Sequence, residues 1–187
     1  MITKYSNFKS ERFSSREPLP AGGYVAKITD AVQQSYSWGD VLVVSFDICE
    51  GEYKNFFAND YRNNINDNKK WRGTYRINIP SEKSRYPESD EKTFNNFVAC
   101  LEETNSGYHW DWDETKLKNK GIGVIFRNKE WEMEDKTGWT TECCAVTTAN
   151  EIREGKFKTP KDKPLKEKTA SAPSAAPVDF DDDDVPF

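Results

Sequence analysis

The stretch Val41-Leu42-Val43-Val44-Ser45-Phe46-Asp47-Ile48-Cys49 has the clearest strand pattern in this chain of 187 residues. Every second side chain in it is large and apolar, namely Leu42, Val44, Phe46 and Ile48. Successive side chains of a strand point to opposite faces of the sheet, so these residues share one face. We therefore predict a strand over residues 41–49 with this face turned into the core.

A second strand pattern lies directly upstream and predicts a hairpin. Gly22-Gly23 opens the run 24–32, whose apolar face is Tyr24, Ala26, Ile28 and Val32. Residues 35–40, Ser-Tyr-Ser-Trp-Gly-Asp, have the composition of a turn. The two runs are therefore predicted to pair, with the hairpin tip at residues 36–39.

The downstream part of the chain predicts three more strands and one helix. Residues 72–79 read as a third strand that ends at Pro80, and residues 122–127 and 139–148 as a fourth and a fifth. Between the third and the fourth, one helical stripe is formed by Phe94, Phe97, Val98 and Leu101. Asp90 or Thr93 is the predicted cap of this helix. Residues 50–70 and 81–92 are predicted to be irregular loops.

Three strands, a helix and two strands follow the order of the OB-fold, a five-stranded Greek-key barrel with one helix between strands three and four. We predict a mainly β protein with this fold over residues 20–155. Residues 1–20 are polar and end in Pro18-Leu19-Pro20, and residues 1–19 of them are predicted to form an N-terminal arm. Residues 156–178 begin basic and become rich in Ala, Pro and Ser, which is typical of a flexible linker.

The last nine residues, Asp179-Phe180-Asp181-Asp182-Asp183-Asp184-Val185-Pro186-Phe187, combine an acidic run with a short apolar end. We predict that this tail is disordered alone, because its charges repel and it can bury little apolar surface. It is suited to docking, since Pro186 restricts the backbone and Phe187 offers both a ring and a carboxylate. The predicted partner-binding residues are Asp181, Asp182, Asp183, Asp184, Val185, Pro186 and Phe187.

This tip resembles the C-terminal tip of bacterial and phage single-stranded DNA-binding proteins, in which a few Asp residues precede Ile-Pro-Phe. Val185 stands where Ile is commoner in that family. The resemblance implies that the tip recruits replication, recombination and repair proteins, while a separate OB-fold domain binds the DNA. The four cysteines, which form no CxxC pair, predict a reduced, cytosolic protein, in the cytoplasm of a bacterial host if a phage encodes it. Long insertions near residues 59–71 and 80–92 mean that no family DNA contact is assigned by alignment.

The formal net charge of −5 does not exclude a nucleic acid as partner. The nine-residue tip holds five of the 32 acidic residues and none of the 27 basic ones, so the rest of the chain is balanced. A balanced body can still carry a basic groove. Aromatic residues make up 13% of the chain and include six Trp, more than a small barrel core requires. Some of them are therefore predicted to be exposed, where they can stack on bases.

OB-folds bind single strands across strands two and three and between the loops that join strands one–two and four–five. At these places the chain has aromatic residues beside cations, so rings can stack on bases while Lys and Arg neutralise phosphates. The predicted single-stranded DNA contacts are Tyr36, Trp38, Lys54, Phe56, Tyr61, Arg62, Lys69, Lys70, Trp71, Arg72, Tyr75, Arg76, Arg127, Lys129 and Trp131. Tyr108, Trp110 and Trp112 alternate with His109 and acidic residues and are instead predicted to pack over the barrel.

Other classes of function have less support in the sequence. The four cysteines form no CxxC pair and His109 is the single histidine, so we predict no metal site and no cofactor. Without a Gly-rich phosphate loop or a nucleophile–histidine pair, we predict no enzyme and no catalytic residues. The segment Glu134-Asp135-Lys136 matches a short ExK part of a metal-dependent nuclease pattern, so a nuclease stays open as the weaker hypothesis. No run of about 18 apolar residues predicts a membrane span.

Two alternatives stay open at this point. The first is an OB-like adapter or decoy that engages tip-binding host enzymes without binding DNA. The second concerns assembly, because a homo-oligomer and a monomer are equally compatible with the sequence.

Overall fold

The computed structural model describes residues 17–133 and 136–165. Within them the strands are β1 (Gly22–Tyr36), β2 (Gly39–Ile48), β3 (Thr74–Ile79), β4 (Gly121–Met133) and β5 (Lys136–Thr147). The helices are α1 (Phe56–Asn63), α2 (Pro87–Thr104) and α3 (Ala149–Arg153), and Glu114–Leu117 forms a single 3-10 turn. None of these helices combines the length and the apolar character that crossing a membrane requires.

The five strands form one open antiparallel sheet in the order β3-β2-β1-β4-β5. Strand β1 pairs with β4 through its first residues, Gly22 to Lys27, and with β2 from Ala26 to Tyr36. The edge strands β3 and β5 approach each other, which curves the sheet around the core. The prediction of a mainly β protein with five strands is confirmed.

The core forms as the alternation in β2 predicts. Leu42, Val44, Phe46 and Ile48 are all buried, and so is the predicted face of β4, Ile122, Val124 and Phe126. Helix α2 contributes Phe94, Phe97 and Leu101 to the same cluster. Phe46 makes edge-to-face contacts with Phe57 and Phe126, so strands β2 and β4 meet through aromatic rings.

Strand β1 departs from the predicted alternation at its centre. The pairing with β2 shifts between Ile28 and Asp30, which inserts one extra residue into β1. Such a bulge moves the following side chains to the opposite face. Ala31 is therefore buried, whereas Val32, predicted to face the core, is 47% exposed. The predicted inward position of Val32 is wrong for this reason.

The structure adds one helix, α1, that was not predicted, and it moves the start of the predicted helix, α2. Helix α1 lies inside the predicted loop 50–70, and its first turn is held by Asp47 of β2, whose carboxylate accepts from the amides of Phe57 and Ala58. Because Asp47 is distant in sequence from the start of α1, no local capping pattern predicts this helix. Helix α2 begins at Pro87 rather than after Asp90 or Thr93, with proline at its first turn.

The folded region also extends beyond both predicted domain boundaries. Leu19, assigned to the N-terminal arm, is buried, and its carbonyl accepts from the Thr141 hydroxyl at 2.7 Å. At the other end, Phe157 packs so closely over Gly23 that a Cβ there would lie 2.6 Å from its ring. Lys163 bonds the backbone of β4 at Asn128 and Glu130. Residues 156–165 are therefore part of the domain and not of a linker.

The bulge in β1 can be tested by a matched pair of alanine substitutions. We expect Ile28→Ala to lower the free energy of unfolding by about 2–5 kcal/mol, because it removes a buried side chain. Val32→Ala should change it by less than about 0.5 kcal/mol, because that side chain is exposed. Urea unfolding measures both. Equal losses at the two positions would contradict the bulged register.

Candidate nucleic-acid interface

The hairpin that joins β1 and β2 presents two stacked rings. Tyr36 and Trp38 lie with their ring centroids 5.1 Å apart and their planes at 10°, and Trp38 is 51% exposed. Arg76 of β3 donates to the Tyr36 hydroxyl at 2.8 Å, and that hydroxyl donates to Gln34. We call Tyr36, Trp38 and Arg76 the tip cluster. The structure brings these three predicted contacts together as a fixed aromatic surface beside a cation.

A cleft of about 440 Å³ lies between β3 and β5, next to the tip cluster. Its apolar wall includes Leu19, Phe57 and Phe126. Three arginines line the same cleft: Arg72, Arg76 and Arg127. Because Arg76 also belongs to the tip cluster, the cleft and the exposed rings form one continuous surface.

The extended β4–β5 hairpin provides the other side of this surface. In β4 the side chains of Arg127, Lys129 and Trp131 share one face by alternation. Arg127 donates to Glu142 of β5 through Nη2 at 3.1 Å, and the Lys129 ammonium lies 2.8 Å from the other carboxylate oxygen. Partial burial alone raises the pKa of the Glu142 carboxyl, but the hydrogen bonds from Lys129 and Arg127 outweigh it, and the pKa lies below its ordinary value. Glu142 therefore stays ionised at neutral pH.

A second aromatic layer lies where α1 meets the β3 end of the cleft. The Tyr61 and Trp71 rings lie 6.0 Å apart, and the Lys69 ammonium is 4.8 Å from the centre of the Tyr61 ring. Arg72 donates to the Thr140 hydroxyl at 3.4 Å and lies 4.0 Å from the Asp60 carboxylate. The exposed ring in this layer is Tyr61, held in place by the partly buried Trp71.

Three predicted contacts belong to the core or its margin instead of an open surface. Tyr75 is only 9% exposed, and burial raises its hydroxyl pKa well above the ordinary value. Phe56 packs edge-to-face on Tyr53 and Phe57. The Trp71 indole N–H donates to the carbonyls of Phe46 and Gly73 at 3.1 Å. The predicted exposed stacking surface at Tyr75 is therefore corrected, and Trp71 and Phe56 mainly support their neighbours.

Three predicted cations lie apart from the cleft walls. Lys54 borders a separate pocket together with Glu17, Glu52 and Asp60. The carboxylates around it make this pocket unsuited to a phosphate. Arg62 bonds Asn59 on the exposed side of α1, and Lys70 is exposed in the loop before β3.

Sequence reasoning missed Glu142 at this surface, and it placed Lys163 only in a basic run ahead of the linker, without a specific contact. Glu142 lies in β5 among Thr and Cys residues, and only its pairing opposite Arg127 reveals its role. Lys163 lies in the segment predicted to be a linker, and its ammonium is 3.6 Å from Glu142. The predicted contacts Arg127, Lys129 and Trp131, assigned to the region between the fourth and fifth strands, indicated this face from sequence.

The remaining predicted features fall outside the surface or outside the described residues. Tyr108 and Trp110 pack against the core as predicted, whereas Trp112 is 71% exposed and stacks on Phe94 of α2. The tip at 179–187 and two residues of the Glu134-Asp135-Lys136 motif lie outside the described residues. Among residues 17–133 and 136–165, no three His, Cys, Asp or Glu side chains are grouped to hold a metal ion.

Comparison with known proteins adds no assignment to this surface. The chain matches no protein-family model, and no curated protein is significantly similar to it. A function for this chain is therefore inferred from its own residues.

The different placements of Trp71 and Trp38 give a stability test. We expect Trp71→Phe to lower the free energy of unfolding by about 1–3 kcal/mol, because two backbone carbonyls lose their indole donor. Trp38→Phe should change it by less than about 0.5 kcal/mol, because the ring is exposed. Urea unfolding of both variants measures the difference. A larger loss for Trp38→Phe would contradict the supporting role of Trp71.

Proposed function

We propose that this protein binds and protects single-stranded DNA without strong sequence preference. One observation carries the proposal: the stacked, exposed rings of the tip cluster continue into a cleft lined by Arg72, Arg76 and Arg127. Rings that stack on any base, beside cations that neutralise phosphates, are what a sequence-tolerant binder needs.

The sheet topology supports an OB-fold as the framework. Strand β1 pairs with both β2 and β4, the edges β3 and β5 approach each other, and α2 lies between β3 and β4 along the chain. In OB-folds, strands two and three and the loops one–two and four–five form the binding surface. Tyr36 and Trp38 of the tip cluster lie at the first of these loops, Arg76 lies on strand three, and the Arg127–Trp131 segment borders the second loop.

The proposed mechanism divides the work between rings and cations. Trp38 and Tyr36 offer faces to unstacked bases, while Arg76 beside them is placed to neutralise the adjoining phosphate. Arg127 and Lys129 extend the positive path along the β4–β5 hairpin. Since phosphate neutralisation releases counterions, affinity should fall as salt rises.

The proposal includes recruitment through the acidic tip. Val185, Pro186 and Phe187, after the run Asp181–Asp184, supply the chemistry that docks into a basic-rimmed apolar pocket. We propose that the partners are replication, recombination and repair proteins of a bacterial cytoplasm, on the strength of the family resemblance of this tip. A phage origin rests on the same resemblance.

DNA binding can be tested by titrating tryptophan fluorescence with oligo-dT of increasing length at several salt concentrations. We expect quenching that saturates at a definite length and weakens with salt, because Trp38 stacks on bases and Arg side chains bind phosphates. If neither the full chain nor the chain ending at Val178 binds, DNA binding is refuted and the adapter function takes its place.

Trp38→Ala and Trp112→Ala are matched variants for the same titration. Both remove an exposed tryptophan, but only Trp38 lies in the tip cluster. Loss of one stacked base contact is worth about 1–3 kcal/mol, so Trp38→Ala should raise the Kd roughly 5- to 150-fold. Trp112→Ala should leave the Kd unchanged. A similar effect of the two substitutions would contradict the assignment of the interface.

The tip can be tested with a purified replication or repair enzyme that docks the C-terminal peptides of single-stranded DNA-binding proteins. We expect the full chain to bind it, and Phe187→Ala to weaken binding at least tenfold by removing the apolar anchor. A peptide of residues 179–187 should compete. Asp179→Asn, outside the terminal run, is the control. Equal binding by the full chain and the chain ending at Val178 would refute recruitment through the tip.

A further inference from the structure

Three cations from two separate parts of the chain converge on one carboxylate at the β4–β5 hairpin. Arg127 Nη2 lies 3.1 Å from Glu142 Oε1, and Lys129 Nζ lies 2.8 Å from Oε2. Lys163 Nζ approaches Oε1 at 3.6 Å. Arg127 and Lys129 are two residues apart in β4, whereas Lys163 lies ten residues after the end of α3.

The backbone around Lys163 is held in place by β4. Residues 161–165, here called the strap, lie along the edge of β4 beyond Phe126, where its pairing with β1 ends. The Lys163 amide donates to Asn128 and its carbonyl accepts from Glu130, both at 2.9 Å. The Leu165 amide donates to the Glu130 carboxylate. The Lys163 side chain is thereby fixed on the same side as Arg127 and Lys129.

The cations outnumber the carboxylate at this point of the hairpin. One carboxylate faces three cations, and Glu142 retains part of its exposure, with 26% of its side chain accessible. Two neighbouring carboxylates are hydrogen-bonded to neutral amides: Glu130 accepts from the Leu165 backbone, and Asp162 accepts from the Asn128 side chain. A phosphate oxygen beside Glu142 would accept further charge-assisted hydrogen bonds from these three cations.

We propose that Arg127, Lys129 and Lys163 form a phosphate-binding seat, in which one backbone phosphodiester of the bound strand accepts hydrogen bonds from the three cations beside Glu142. Glu142 is a positioning residue: it draws the three cations to one point before the ligand arrives, which reduces the side-chain ordering that binding requires. The strap is then part of the binding surface. This inference rests on the proposed function and names one specific contact within it.

A specific phosphate contact by Lys163 can be distinguished from a general effect of positive charge in the strap. Lys161 is an exposed lysine in the same strap, two residues before Lys163. We compare Lys163→Gln with Lys161→Gln, which remove equal charge and keep a chain of similar length. Thermal unfolding of each variant checks that the domain stays folded.

In the oligo-dT titration, each phosphate neutralised on a single strand contributes about 0.7 to the slope of log K against log salt. Lys163→Gln should therefore reduce that slope by about 0.7 and weaken binding several-fold at low salt. Lys161→Gln should leave the slope as it is in the parent chain. Equal changes in both variants, or none in Lys163→Gln while the parent chain binds, would overturn the seat and leave DNA binding intact. No binding by the parent chain would refute the proposed function itself.

A second measurement does not depend on DNA. The Arg127 Nε–H signal of the full chain is followed by NMR during titration with inorganic phosphate, with sodium chloride at matched ionic strength as the comparison. A saturable shift with phosphate, weakened in Lys163→Gln and retained in Lys161→Gln, supports the seat. A shift with phosphate that only follows the chloride series would overturn it.

Discussion

Strand β1 imposes the constraint on which the rest of this structure depends, because it must pair with two neighbours along different parts of its length. Its first residues pair with β4 and its later residues pair with β2. The bulge after Ile28 shifts the register of the pairing with β2. Since β1 begins at Gly22, β4 continues past Phe126 with an uncovered edge. The strap occupies that edge, and the cleft opens between the two outer strands, β3 and β5.

The arginines of the candidate interface are held by hydrogen bonds within the protein. Arg76 is bonded to the Tyr36 hydroxyl, Arg127 to Glu142, and Arg72 to Thr140. A free Arg or Lys side chain loses considerable rotamer freedom when it is immobilised. Because the fold has already restricted these side chains, the strand that binds would have to order few groups on the protein. A chain with a balanced body can in this way present a concentrated positive surface.

Much of the fold could be predicted from sequence, but only where the determinants are local. The alternation in β2 and β4 placed Phe46 and Phe126 in the core, and the stripe in α2 placed Phe94 and Phe97 there. The bulge in β1 has no composition signal, so Val32 was assigned to the wrong face. In the site, turn composition located Tyr36 and Trp38, whereas Lys163 depends on backbone pairing with β4 across more than 30 residues. Backbone pairing between residues this far apart leaves no periodic pattern in a short window of sequence.

Asp47 has a consequence for the order in which the protein folds. Helix α1 is too short to be stable alone, and its first amides are satisfied by this carboxylate in β2. The helix therefore gains its cap only after β2 has joined the sheet. We expect interactions within α1 to be absent from the folding transition state, with φ-values near zero, while contacts of Phe46 form early. Tyr61 belongs to α1 and packs against Trp71. This aromatic pair would then be the last part of the candidate interface to order and the first to be lost on unfolding.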